Sequence, residues 1–178
     1  MKKWVMYAAF ALPVLMVSCK ALDKLTQFDL DYSTSYTYEA NTPPNTPDSV
    51  ATPDITTNIE RELEIKESKK ELIESAKLKE MKLQLNSDAG TRFTFLKSVD
   101  LYVSAPGMPK TLVAYKHGIT DDIGTELVLD LTNVELRDYV KNDVITLHAT
   151  SVTDQLIRRN ITVDVKVKFF VDAKILGI

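Results

Sequence analysis

The sequence has very few of the residues on which metal sites and catalytic centres usually depend. Its 178 residues include 1 cysteine, 2 histidines and 5 glycines. A single cysteine allows no internal disulfide and no thiolate metal cluster. The glycines form no phosphate-binding loop, and the chain contains no Gly-x-Ser-x-Gly elbow for a nucleophilic serine. These absences exclude the common motifs of nucleotide binding and of nucleophilic catalysis.

The two histidines lie in different segments and fit no zinc-binding motif. His117 stands before a glycine and is expected in a turn. His148 lies on the polar side of a predicted strand and is expected at solvent or in a cross-strand pair. Asp121, Asp122 and Asp154 lack the register of a calcium loop and are interpreted as turn residues. We therefore predict no catalytic residue, no metal site and no cofactor, and we do not expect an enzyme.

An excess of positive charge is also lacking. The chain has 22 basic and 25 acidic residues, for a formal net charge of −3. Loss of Lys2 and Lys3 with the first 18 residues would change this charge to −5. Nucleic-acid binding usually requires a basic face, so no nucleic-acid partner is expected. The remaining 160 of the 178 residues suit one domain with a short tether.

What the sequence does contain begins with an export signal. Lys2 and Lys3 form a basic start, and residues 4–17 form an uncharged, largely apolar run of 14 residues. A helix that spans a bilayer needs about 20 apolar residues. The run is therefore interpreted as the apolar region of a signal peptide.

Met16-Val17-Ser18-Cys19 follows this run directly and resembles the lipobox of bacterial lipoproteins. The resemblance implies cleavage between Ser18 and Cys19 and attachment of a diacylglyceryl group to Cys19. Lys20 is not the Asp that retains lipoproteins at the inner membrane of some bacteria. The resemblance therefore implies a lipid anchor in the outer membrane of the cell envelope, with surface exposure left open. The alternatives are an ordinary secretory signal with a coincidental Cys19 and a cytosolic protein with an apolar first helix.

Apolar and polar residues alternate along most of the chain after residue 27, which is typical of half-buried strands. The clearest run is 161–171, which we expect near the centre of a sheet. Roughly eight such runs without a repeated βαβ pattern predict an all-β fold, a two-sheet antiparallel β-sandwich of about eight strands with one or two short helices. The pattern resembles an immunoglobulin or fibronectin-type sandwich, with its strand order unassigned. The predicted organisation is a signal peptide (1–18), a lipidated tether (19–27) and a β-sandwich domain (28–178).

The segment 55–85 is open to two interpretations. Ser68 and Glu71 have the spacing of a capping box and predict a short helix over 68–76 between two strands. A single charged helix over 59–81 is the alternative, because several apolar residues also recur every four positions.

The first strand of the domain and the segment after it form the predicted partner surface. Tyr32, Tyr36 and Tyr38 alternate with polar residues, and residues 39–54 contain four prolines that predict an extended, mobile loop. Sandwich domains bind partners through end loops or exposed edges. Tyrosines that fill the core are the competing interpretation.

The sequence thus favours a membrane-anchored, extracytoplasmic, non-catalytic binding or structural module of the cell envelope. Its expected partners are the membrane, through the lipid anchor, and an envelope protein or glycan. The alternative is an envelope glycan hydrolase, which needs two carboxylates about 5–9.5 Å apart.

The lipobox generates the first testable prediction. Mass spectrometry of the protein purified from bacterial membranes is expected to show a mature chain that begins at acylated Cys19. Cys19→Ser is expected to remove the acyl mass and to release the chain from the membrane fraction, because the sequence has no second thiol. A mature chain that begins elsewhere, or that lacks the acyl group, would contradict the anchor.

Overall fold

Among the residues that the structure describes, ten strands form two antiparallel sheets whose apolar faces pack together, with alternating apolar residues along the long strands. The computed structural model describes residues 26–86 and 90–175. Within these ranges no helix is long and apolar enough to cross a membrane. Residues Ser18 and Cys19, with the whole predicted signal peptide, lie outside the described residues. The predicted all-β sandwich is confirmed.

Over residues 26–86 and 90–175, two short α-helices lie among the strands. The strands are β1 (Gln27–Tyr38), β2 (Pro47–Ala51), β3 (Ile55–Thr56), β4 (Ile73–Leu85), β5 (Leu96–Ser104), β6 (Thr111–His117), β7 (Glu126–Val128), β8 (Asp130–Leu131), β9 (Val144–Thr153) and β10 (Ile161–Ala173). The helices are α1 (Ile59–Ile65) and α2 (Arg137–Val140), and single 3₁₀ turns cover Lys70–Leu72 and Phe93–Phe95.

The strand order is that of a jelly roll. The four-stranded sheet has the order β1-β10-β4-β7, and the larger sheet has the order β2-β9-β5-β6-β8, with β3 also paired to β9. Strands from the two ends of the chain therefore pair with each other in both sheets, as in the double Greek key of a jelly roll. An immunoglobulin-type sandwich groups its strands differently. The resemblance to that fold therefore ends at the two-sheet architecture.

Strand β10 lies inside the four-stranded sheet, as its strict alternation predicts. It pairs with β1 along one side and with β4 along the other. Its inward valines, such as Val163, Val165 and Val171, are 0% exposed. The alternate positions point away from the core, and apart from Phe170 they carry polar or charged residues.

The alternating leucines at 127, 129 and 131 do not form one strand. Leu127 in β7 pairs with Leu83 of the four-stranded sheet, whereas Leu131 in β8 pairs with Ala114 of the larger sheet. Between them Leu129 is buried, and its N–H donates to the Met81 carbonyl at 3.1 Å. The chain therefore crosses from one sheet to the other along the edge of the sandwich.

The proline-rich segment 39–54 is not a structureless loop throughout. Pro47–Ala51 forms β2, an edge strand paired with β9. Pro47 is its first residue, a position at which the missing N–H of proline costs no ladder hydrogen bond. The remaining prolines stand outside the strand.

The prediction of a helix over 68–76 is wrong. The Ser68 hydroxyl donates to the Lys174 carbonyl at 2.6 Å instead of capping a helix, and β4 already begins at Ile73. Helix α1 lies earlier and buries Ile59 and Leu63, a pair with the four-residue spacing of the helical alternative. That alternative is also wrong over most of its length, because the helix ends at Ile65.

Tyr36 and Tyr38 fill the core, so they cannot form part of a partner surface in the folded domain. Their side chains are 4% and 1% exposed. The Tyr38 hydroxyl lies 3.1 Å from that of Tyr36 and 2.7 Å from the Ser151 hydroxyl of β9. The Tyr38 ring also meets the Phe95 ring edge to face, with centroids 5.5 Å apart. A buried polar chain thus joins the two sheets.

Burial keeps this chain of hydroxyls protonated. It raises the pKa of Tyr36 well above the usual value and raises the pKa of Tyr38 to about 12. Both tyrosines can therefore donate hydrogen bonds throughout the physiological pH range.

Removing one hydroxyl from this chain is expected to destabilise the domain. Tyr38→Phe leaves the hydroxyls of Ser151 and Tyr36 buried without this partner, which lowers the free energy of unfolding by about 1–2 kcal/mol. Urea unfolding of Tyr38→Phe, Ser151→Ala and the double variant measures the effect. The double variant is expected to lose less than the sum of the two single losses, and strictly additive losses would contradict the bridge.

Candidate functional site

The outer surface of the larger sheet carries the candidate site. In β5, Val99, Leu101 and Val103 are 0% exposed and face the core, so the alternate residues of this strand face outward. The outward side chains of β5 and its two neighbours include two tyrosines and both histidines of the chain. We call this surface the Tyr/His face and define it by Asp100, Tyr102, Ser104, Tyr115, His117 and His148.

Strand pairing brings these residues together although they are far apart in sequence. Strand β5 lies between β6 and β9. In the pairing of β5 with β6, Asp100 stands opposite Tyr115. In the pairing of β5 with β9, Tyr102 stands opposite His148. Directly opposed side chains on one face of an antiparallel pair lie about 4.5–5.5 Å apart at Cβ. The face is therefore a continuous array of neighbours.

A β-bulge in β6 sets which of its side chains reach this face. The pairing with β5 shifts between Leu101 and Tyr102, so Val113 has no direct partner. Val113 and Ala114 are adjacent in the chain, yet both are buried. After them Tyr115 returns to the outward side. Bulges commonly redirect side chains in this way.

One end of the face contains a charged hydrogen bond beside an aromatic contact. His117 Nε2 donates to Asp100 Oδ1 at 2.7 Å. The rings of His117 and Tyr115 lie 5.2 Å apart at their centroids, with an interplanar angle of 43°. The carboxylate thus orients the imidazole, and the imidazole packs against the half-buried tyrosine.

The other end of the face is built around His148. Its Nε2 shares a hydrogen bond of 2.8 Å with the Ser104 hydroxyl. Partial burial lowers the pKa of His148, and the positive charge of Lys110 lowers it further. Lys110 Nζ lies 4.6 Å above the centre of the Tyr102 ring, within cation–π range. The imidazole is therefore kept neutral at pH 7 beside a half-buried aromatic ring.

This arrangement offers apolar ring surface with hydrogen-bonding groups at its margins. Tyr102 and Tyr115 supply the ring surface, and the histidines, Asp100 and Ser104 supply donors and acceptors. Rings with a polar rim suit ligands that are apolar on one side and polar at the edge. Among the described residues, no group of three His, Cys, Asp or Glu side chains could hold a metal ion.

The structure places the predicted site residues elsewhere. Tyr36 and Tyr38 are core residues, and Tyr32 is half-buried in the four-stranded sheet, where its hydroxyl donates to the Thr57 carbonyl at 2.6 Å. Burial, followed by the charge of Glu62, raises the pKa of Tyr32. The prediction that these three tyrosines form a partner surface is therefore wrong for Tyr36 and Tyr38, which are buried. The hydroxyl of Tyr32 already forms a hydrogen bond within the domain.

The histidine predictions had mixed outcomes. The expected cross-strand environment of His148 is confirmed by its bond to Ser104. His117 is the last residue of β6 and not a turn residue, and the turn starts after it. Asp121 and Asp122 lie in a turn, as expected. Sequence reasoning missed Asp100, Tyr102 and Tyr115, although the alternation of β5 already placed the first two on one side.

Glu135, which lies outside the Tyr/His face, has a structural role as a hydrogen-bond acceptor. Glu135 accepts hydrogen bonds from the Ala76 N–H at 2.7 Å, the Ser75 hydroxyl at 2.8 Å and the Arg137 N–H at 2.9 Å. Partial burial alone would raise the pKa of Glu135, but these hydrogen bonds hold it below the usual value. An anionic Glu135 fastens the segment before α2 to β4 and is unsuited to act as a general acid at neutral pH.

Comparisons with known proteins assign no family. No protein-family model matches the chain, and no curated protein matches it. Among solved structures, the decameric BFDV capsid protein is 11% identical, with 83% of this chain and 98% of that chain covered and a TM-score of 0.39. The structure of Desmodium yellow mottle tymovirus is 8% identical, with 99% and 98% covered and a TM-score of 0.26.

A third structure, of carbohydrate-binding modules from the β-sandwich superfamily, is 11% identical, with 83% of this chain and 55% of that chain covered and a TM-score of 0.28. Likenesses at this level carry no argument about the function of this chain.

The environment of His148 leads to a pH prediction. Lys110→Met is expected to raise the pKa of His148 towards its usual value of 6.5, because one of the two causes of the shift is removed. NMR titration of the His148 ring measures this change. Lys77→Met, on the outer side of the other sheet, is the matched control and is expected to leave the titration unaltered.

The sign of the stability effect follows from the same shift. The folded-state pKa of His148 lies below that of the unfolded chain, so the unfolded state binds more protons below pH 6.5. Stability therefore falls as the pH drops from 6.5 through the folded pKa, and Lys110→Met is expected to weaken this fall. An unchanged titration in Lys110→Met would contradict the proposed electrostatic cause.

Proposed function

We propose that this chain is a lipid-anchored protein of the bacterial cell envelope whose jelly-roll domain binds a glycan at the Tyr/His face without catalysing a reaction. The observation that supports the proposal is the combination, on one sheet surface, of two half-buried tyrosine rings with histidine, carboxylate and hydroxyl groups. The lipobox-like sequence that ends at Cys19 supports the anchor.

The chemistry of a sugar matches this surface. A pyranose presents C–H groups on its faces and hydroxyls around its rim, so one face packs on an aromatic ring while the rim forms hydrogen bonds. Tyr102 and Tyr115 provide rings on neighbouring strands, and His117, His148 and Asp100 are within reach of the rim. The only tryptophan, Trp4, belongs to the predicted signal peptide, so tyrosines supply the aromatic surface in the mature chain.

Glycan hydrolysis is the alternative function. Asp100 and Asp130 are the pair of carboxylates on the Tyr/His side of the sheet that we consider for it. Asp100 and Asp130 stand opposite Tyr115 from its two neighbouring strands, so their Cα atoms lie two strand spacings, about 10 Å, apart. Glycosidases use carboxyl groups about 5–9.5 Å apart, so this pair is widely spaced for the reaction. In addition, Asp100 holds His117, and Asp130 lies 3.2 Å from Lys116. We therefore favour binding, with Asp100 serving as the hydrogen-bond partner of His117 and Asp130 as the ion-pair partner of Lys116.

The proposal is tested by retention of the purified chain on an array of neutral hexose and N-acetylhexosamine oligosaccharides, followed by calorimetry with the best-retained compound. Loss of one aromatic contact costs about 0.5–1.5 kcal/mol beyond the buried area. Tyr102→Ala combined with Tyr115→Ala is therefore expected to weaken binding at least about tenfold. Phe170→Ala removes a half-buried aromatic side chain from the outer side of the other sheet and serves as the matched control.

Three outcomes would overturn this function. Absence of retention on every oligosaccharide, or an equal loss of affinity in Phe170→Ala, would exclude the Tyr/His face as a glycan site. Release of new reducing ends from the retained oligosaccharide, abolished by Asp100→Asn, would establish the hydrolase instead.

A further inference from the structure

Three of the five arginines of the chain line one groove at an end of the sandwich. The groove has a volume of about 420 Å³ and lies between the segment before β5 and the loop that joins β9 to β10. Its cationic residues are Arg92, Arg158 and Arg159. We call it the arginine groove. Its volume lies within the range of about 300–1,000 Å³ that is common for small-molecule sites.

The charge of the arginine groove is unusual for this protein. The described residues that line it include no Asp or Glu. Four other grooves on the described surface each include at least two carboxylates. The chain as a whole is negative, with a formal net charge of −3. The arginine groove is therefore a local positive site on an acidic protein.

Two of its guanidinium groups are available to a ligand. Arg159 Nη2 donates to the Thr91 hydroxyl at 2.6 Å, which fixes this side chain against the wall of the groove. Within the parts of the chain that the structure describes, the side chains of Arg92 and Arg158 form no hydrogen bond or ion pair with another residue. Guanidinium groups bind carboxylate and phosphate with paired, geometrically matched hydrogen bonds.

Hydrogen bonds between its two walls hold the groove in shape. The Asp154 N–H donates to the Phe95 carbonyl at 3.1 Å, and Gln155 Nε2 donates to the Thr94 carbonyl at 3.2 Å. Phe95 and Ile157 are buried beneath the groove. A preformed site loses less conformational entropy when its ligand binds.

An exposed apolar side chain adds a second recognition element. Leu156 lies in the lining of the groove and is 44% exposed. It stands two residues before Arg158 and lines the same groove, so one ligand can contact both an apolar side chain and a guanidinium group. We propose that the arginine groove binds a small organic anion that joins a phosphate or carboxylate group to an apolar group.

The distance of the groove from the tether favours a soluble anion over a lipid headgroup as its ligand. Ile161 lines the groove and pairs with Tyr38, the last residue of β1. Strand β1 has 12 residues, so at about 3.3 Å per residue the groove lies about 35 Å from Gln27, where the tether enters the domain. The groove therefore faces away from the membrane that holds the chain, a step that rests on the proposed anchor at Cys19.

Calorimetric titration of the purified full chain in a phosphate-free buffer tests the site. The probes are phenyl phosphate, benzoate, inorganic phosphate, benzyl alcohol and vesicles of phosphatidylglycerol and phosphatidylcholine. Phenyl phosphate or benzoate is expected to bind saturably, more tightly than inorganic phosphate or benzyl alcohol. Arg92→Gln and Arg158→Gln are each expected to weaken this binding about tenfold, because each removes a charge-assisted hydrogen bond.

Matched variants distinguish a site from general charge attraction. Arg61→Gln removes the same charge from α1 and is expected to leave the affinity unchanged. Leu156→Ser is expected to reduce the preference for phenyl phosphate over inorganic phosphate. All four substitutions change surface side chains, and unaltered thermal unfolding confirms that the variants are folded.

Three results would overturn the inference: no saturable binding of either aromatic anion, equal weakening in Arg61→Gln, or binding of the anionic vesicles alone. The last result would assign the groove to a membrane surface. Binding of aromatic anions that persists in Tyr102→Ala with Tyr115→Ala would show that the groove acts independently of the Tyr/His face, so the two proposals can fail separately.

Discussion

The contact between the inner faces of the two sheets is the interaction on which every other feature depends. Strands β5 and β10 each bury one side of their alternating residues in this contact, which leaves the other side free to carry charged and aromatic residues. A polar link crosses this contact from Tyr36 through Tyr38 to Ser151, where β1 of one sheet meets β9 of the other. Because buried hydroxyls must find partners, this link also fixes how the sheets are placed relative to each other.

The parts of the fold that follow from local alternation could be predicted, and the parts that depend on distant partners could not. Strand β10 alternates over its whole length, so its type and central position were evident. Ser68 has the spacing of a helix cap, but its hydroxyl bonds to the Lys174 carbonyl, about a hundred residues away, and no local pattern reports that contact. In β1 the polar residues on the opposite side already indicated that Tyr36 and Tyr38 face inward, a signal that the predicted partner surface did not use.

The candidate site was less predictable than the fold for a related reason. His117 belongs to β6, which follows β5 directly in the chain, but His148 belongs to β9, which becomes a neighbour of β5 only through the jelly-roll strand order. Each histidine considered alone resembles an ordinary polar residue. The bulge at Val113 further conceals the outward position of Tyr115, because it interrupts the alternation of β6. A site assembled across three strands therefore requires the strand order before its members can be identified.

The jelly-roll architecture also provides two separate surfaces, so one small domain could bind two different ligands. A jelly roll separates its sheet faces from its end loops, so the Tyr/His face and the arginine groove can differ in charge without affecting each other. With Cys19 lipidated as we propose, the tether of residues 19–27 would reach about 30 Å at most, which would keep Gln27 within that distance of the membrane. The outer side of the four-stranded sheet carries ion pairs such as Lys79–Asp29 and Lys168–Asp31. Because these charges neutralise one another, that side would have little attraction for an anionic bilayer if the anchor that we propose is present, and the Tyr/His face on the other sheet would stay open to the proposed glycan.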